Sequence, residues 1–140
     1  MNNQPTYRVG LIGAGYVCQF HVKALQRLSN VKLAGICDLD VARAQDAAKN
    51  AGCPAFASTT ELFAAGVDVV HVLTPPASHA ALTIQALEHG CDVLVEKPLA
   101  ITVRAARRLV ESDVRRNTQE LGAEVLRALQ ESGAQKAGQE

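Results

Sequence analysis

The chain has no tryptophan, one methionine and only 4% aromatic residues, so its core must be filled by aliphatic side chains rather than by stacked rings. It also has no net charge, with 14 Lys and Arg against 14 Asp and Glu. No basic excess argues for nucleic acid, and the Arg107–Arg108 and Arg115–Arg116 pairs fall in helical pattern as a solvated face. No apolar run is long enough to span a bilayer. The opening MNNQPTYR lacks the charged-then-apolar order of a signal peptide. These features predict a cytoplasmic protein bound to neither membrane nor nucleic acid. The four cysteines, Cys18, Cys37, Cys53 and Cys91, include no C-x-x-C pair, and each lies in or beside an apolar segment. That pattern predicts free structural thiols in a reducing compartment and no metal site.

What is present suits one domain. At 140 residues and 48% apolar composition, a folded chain buries roughly 70% of the surface it exposes when unfolded. RVGLI (8–12) reads as a buried strand followed at once by GAG. Val17, Phe20, Ala24, Leu25 and Leu28 then recur at helical spacing, predicting a helix over Tyr16–Leu28. Further strands are expected at 31–37, 54–57, 67–73 and 91–97. Between them the pattern predicts helices over 41–50, from Ser58 to Ala65 and from Ser78 to His89, with Ser58 and Glu61 at capping-box spacing. Strands alternating with helices across short connections predict an α/β fold: a doubly wound parallel sheet of about five strands, Rossmann-like. After Thr102 the apolar residues Val103, Val110, Val114, Leu121 and Val125 repeat at helical steps, and no sixth strand follows. The expected organisation is a dinucleotide-binding domain over 1–112 and a helical tail over 113–140, frayed at its end and suited to covering a sheet edge or mediating self-association.

Gly13 and Gly15 stand directly after a strand and at the mouth of a helix, the context a dinucleotide fingerprint requires. Gly13 permits the tight turn, Gly15 lets the backbone approach a pyrophosphate, and the helix near Tyr16 and Val17 offers unpaired amides to it. Cys18 takes the place of the third glycine. Asp38 closes the second strand, where a carboxylate accepts both adenosine ribose hydroxyls and repels a 2′-phosphate. NAD is therefore expected over NADP. The fourth and fifth strands end in TPPASH and EKP, which places Thr74, Pro75, His79, Glu96 and Lys97 at the carboxyl ends of parallel strands, where such sheets bind ligands. His79, in the first turn of its helix, reads equally as a cofactor contact and as a surface residue. His21 and His71 read as packing residues.

Taken together, GLIGAGYVCQFHVKAL, CDLD, DVVHVLTPPASHA and VLVEKPLA resemble the nucleotide-binding domain of the Gfo/Idh/MocA oxidoreductases over about residues 7–112. The resemblance implies hydride transfer between a nicotinamide cofactor and a sugar or polyol. Lys97 would contact the nicotinamide ribose and the substrate hydroxyl and assist proton transfer, with Glu96 close to the cofactor ribose. It also implies a second, substrate-holding domain, which no segment of this sequence matches. Three readings stay open: an oxidoreductase that is truncated or draws its substrate domain from a partner chain, a stand-alone NAD-binding module without catalysis, and a Rossmann-like domain for another nucleotide.

Overall fold

The computed structural model describes residues 4–117. Five strands, β1 (Tyr7–Ile12), β2 (Val31–Cys37), β3 (Ala55–Phe56), β4 (Val69–Val72) and β5 (Asp92–Val95), form one sheet. Every pairing is parallel, in the order β3-β2-β1-β4-β5. The chain builds outward from β1 to β3, then returns to the other side of β1 with β4. The switch point, where such sheets bind ligands, thus lies between β1 and β4.

Helices cover both faces. On one, α1 (Cys18–Gln26) and α2 (Val41–Ala51) pack Cys18, Val22, Leu25 and Ala48 onto Val9, Leu11 and Ile36. On the other, α3 (Thr59–Ala64) and α4 (His79–Glu88) place Leu62 and Ala86 against Ile12, Val70 and Val72. Adjacent residues of β1 thus serve opposite faces, as the two-residue repeat of a strand demands.

The local signals act as their chemistry requires. The Asp40 carboxylate accepts the Arg43 amide at the start of α2, and Gly52 ends that helix in the left-handed region at φ 72°. Ser58 accepts from the Glu61 amide while the Glu61 side chain accepts from the Ala57 amide, joining both ends of the first turn of α3.

Three expectations change. Helix α1 buries Cys18, Val22 and Leu25, while Phe20 and Leu28 are about half exposed, at 49% and 50%. The face that α1 seats on the sheet is the one carrying Cys18, Val22 and Leu25. Strand β3 pairs over two residues rather than four, because β2 continues into the Asp38 turn. Strand β5 stops at Val95, so Glu96 and Lys97 lie beyond the ladder. The helical pattern expected after Thr102 forms α5 (Val103–Asn117), which buries Ala106, Leu109 and Val110. It packs on α4, while the outer strand β5 keeps Leu94 45% exposed. The remainder of the expected tail, 118–140, lies outside the described residues.

Candidate nucleotide-binding site

The β1–α1 loop is held from both sides of the switch point. The Gly13 amide donates to the Cys37 carbonyl at 2.8 Å, tying the loop to the end of β2. Across the cleft, the Leu73 amide donates to the Ile12 carbonyl at 2.8 Å. Gly13 has φ 109°, and a Cβ there would lie 2.9 Å from the Leu73 carbonyl carbon, so only glycine fits. Gly15 differs: a Cβ there would meet nothing within 4 Å. Its missing side chain leaves open space at the mouth of α1 instead of relieving a backbone clash.

Beside that space, the amides of Gly15, Tyr16 and Val17 have no partner among the described residues. Helix first turns leave such donors free, and a pyrophosphate is a fitting acceptor. Tyr16 is 77% exposed and meets Phe20 edge-on, with ring centroids 5.2 Å apart.

Asp38 is half-buried and joins two turns. Its Oδ2 accepts the Ala14 amide and its Oδ1 the Asp40 amide, both at 2.8 Å. A carboxylate offers about four lone-pair positions, so each oxygen keeps capacity for a ribose hydroxyl. The donors and the open space fit a dinucleotide: amides for its phosphates, a carboxylate for its diol.

On the other side of the switch point stand the ends of β4 and β5. The Glu96 amide donates to the Val72 carbonyl at 2.9 Å, which fixes where the EKP segment leaves the sheet. Ser78 Oγ lies 2.6 Å from Thr74 Oγ1 and 2.9 Å from the Pro75 carbonyl, closing the TPPAS turn. Pro75 and Lys97 are exposed and Thr74 half-buried.

His79 is not a surface residue. It is 1% exposed, with Nδ1 facing the Pro98 carbonyl at 2.7 Å and Nε2 facing the Thr74 carbonyl at 2.5 Å. Both ring nitrogens are taken, so the ring keeps no polar atom for a cofactor. It bridges the loops after β4 and β5 from beneath. The ring thus joins the two strand ends through these carbonyls.

His21 and His71 also do more than pack. His21 Nε2 lies 3.2 Å from Glu96 Oε2, and His21 Nδ1 lies 2.9 Å from His71 Nδ1. Burial first, and the neighbouring His21 second, pull the His71 pKa down from 6.5 to about 4. Sequence spacing gave no hint of this cluster, because 75 residues separate His21 from Glu96 and only the sheet order brings them together. All four cysteines are free thiols, with Cys18, Cys37 and Cys91 buried and Cys53 half-buried. Burial is the main cause raising Cys18 and Cys37 to about 11, with the Asp38 charge adding to it.

Comparison with known proteins agrees with this geometry. The model for the oxidoreductase family with an NAD-binding Rossmann fold, GFO_IDH_MocA, matches residues 7–123. Inositol 2-dehydrogenase of Burkholderia ambifaria is 35% identical over 113 residues, covering 78% of this chain and 34% of that protein. Among solved structures, UDP-N-acetylglucosamine 3-dehydrogenase GnnA from Acidithiobacillus ferrooxidans is 32% identical with a TM-score of 0.75, covering 81% of this chain and 36% of its own. The WlbA dehydrogenase from Bordetella pertussis, in complex with NADH and UDP-GlcNAcA, is 28% identical with a TM-score of 0.76, covering 80% and 34%. The chain thus spans about a third of the length of these relatives. The family model covers most of the sequence, and the chain belongs to the oxidoreductase family with an NAD-binding Rossmann fold.

Proposed function

We propose that this chain binds NAD(H) across the carboxyl ends of β1, β2, β4 and β5, as the cofactor half of an oxidoreductase acting on a sugar or polyol hydroxyl. The observation that carries this reading is the Asp38–Ala14 bond, which holds the ribose-accepting acid against the glycine mouth with lone pairs to spare. In this reading Gly15, Tyr16 and Val17 donate amides to the pyrophosphate, and Gly13 keeps the turn tight. Asp38 accepts the adenosine ribose and disfavours a 2′-phosphate. Thr74, Pro75 and Glu96 border the nicotinamide half, and His79 holds the two border loops together. The cofactor supplies a nicotinamide carbon that accepts or gives hydride. Lys97 takes the hydroxyl proton as the alcohol is oxidised and returns it in the reverse direction.

Lys97 is exposed among the described residues. A lysine base near neutrality needs desolvation and neighbouring charge, so turnover requires a covering, substrate-holding face from further polypeptide or a partner chain. The exposure of Lys97 also favours a second reading, an NAD-binding module without catalysis of its own. Calorimetric titration with NADH and NADPH tests the common part: NADH should bind and NADPH more weakly. Assaying polyol and sugar oxidation, with and without a partner supplying that face, separates the two readings.

A further inference from the structure

The cluster behind Glu96 goes beyond cofactor contacts. Glu96, half-exposed at the end of β5, is approached by His21 from α1, and His21 by His71 from inside β4. Two imidazole nitrogens 2.9 Å apart can share one hydrogen between them. With Glu96 ionised and both rings neutral, one arrangement satisfies every contact. His71 carries its hydrogen on Nδ1 and donates to His21 Nδ1, and His21 carries its hydrogen on Nε2 and donates to Glu96. Adding one proton from water gives a second satisfied arrangement: His21 becomes an imidazolium donating from both nitrogens, and His71 moves its hydrogen to Nε2. No other bond is made or broken, and the cluster gains one positive charge.

We propose that His21 is a positioning residue for Glu96, and that the proton it shares with His71 switches Glu96 between a neutral-donor hydrogen bond and a charged pair. A bond in which both donor and acceptor are charged is shorter and stronger than one with a neutral donor, so protonation draws the carboxylate toward His21 and away from a cofactor ribose. Among the described residues, few other charges face the cluster. At the register of His71, β1 presents Leu11 and β5 presents Leu94. One turn away on α1 are Val17, Cys18, Ala24 and Leu25, of which Cys18 is a neutral thiol. Lys23, two residues on, lines the groove between α1 and α2 instead. Lys97 follows Glu96 directly. The low pKa of His71 is consistent with that ring staying neutral in both arrangements.

The link to the cofactor rests on the NAD-binding reading above; the proton-sharing chain itself does not. Nitrogen-15 spectra of histidine-labelled full chain, recorded without cofactor, should show His71 as the Nδ1–H tautomer at pH 8. Acidification should convert it to Nε2–H together with His21 protonation. His21→Gln, whose amide can still donate to Glu96 but takes no proton, should abolish that conversion. In parallel, NADH affinity should fall about fivefold from pH 8 to pH 6, the size of one stronger charge-assisted bond, and the fall should vanish in His21→Gln. A His71 tautomer that does not change with pH, or a Gln variant with the unmodified pH profile for NADH, overturns the proposal. Failure to bind NADH at any pH would sink the NAD reading and the ribose link, while the spectra still decide the proton chain.

Discussion

Asp38 Oδ2 accepts the Ala14 amide at 2.8 Å, so the acid ending β2 and the glycine loop ending β1 form one unit rather than two neighbouring motifs. The contact gives Asp38 a structural task in addition to its proposed ribose contact. Replacing it therefore has two separable effects. Asp38→Ser should narrow the NADH-to-NADPH affinity gap about tenfold, as the carboxylate's repulsion of a 2′-phosphate disappears. It should also lower stability by about 1 kcal/mol through loss of the acceptor for the Ala14 amide. Titration calorimetry and urea unfolding read the two effects. Equal affinities for both cofactors in the unmodified protein would refute the selectivity argument.

The two glycines of the mouth should separate folding from binding. Gly13→Ala forces a side chain into the Leu73 backbone at positive φ, a strain of about 1–3 kcal/mol or more. Gly15→Ala meets no atom of the described residues within 4 Å and should leave the urea midpoint unchanged while weakening NADH binding at least about tenfold by filling the pyrophosphate space. If Gly15→Ala unfolds the protein or binds normally, that space is not where the phosphates lie.

Stability should fall on acidification through His71. Above pH 6.5 the ring is neutral in both folded and unfolded chains. Between 6.5 and about 4 the unfolded chain takes up a proton that the folded one refuses, so stability declines across that window. Urea midpoints at pH 7, 6 and 5 should drop less steeply in His71→Gln. Parallel curves for both proteins would show that His71 does not carry the effect.

The thiols should be inert where they are buried. Cys18 and Cys37, 2% and 3% exposed and shifted to about 11, carry little thiolate at pH 8. The half-buried Cys53 should react first with a disulfide reagent, and the buried thiols only on unfolding. Rapid modification of Cys18 in the native protein would contradict its place in the core.

Lys97→Met tests chemistry apart from binding. NADH affinity should change less than about threefold, because the lysine's proposed work lies in the transition state. In an assembly that turns over, the rate should fall at least about a hundredfold. Retained turnover would reduce EKP to a strand end.

Much of the architecture was legible in the residues themselves, because strand runs, caps and the glycine loop are local. The β1–GAG–α1 mouth, the Ser58 cap and the order of elements each follow from side chains a few positions apart. So did the family resemblance, carried by short motifs in a fixed order. What tertiary structure decided is where distant segments meet. Helical spacing placed Phe20 and Leu28 on the buried stripe of α1, but the seating of α1 on the sheet buries Cys18, Val22 and Leu25 instead. His79, which read equally as a cofactor contact and as a surface residue, is buried with its Nδ1 against the Pro98 carbonyl, 19 positions away. His21, His71 and Glu96 come together only because β4 and β5 lie side by side beyond β1. Local propensity sets the elements, but contact across a sheet depends on strand order, and no spacing along the chain encodes that.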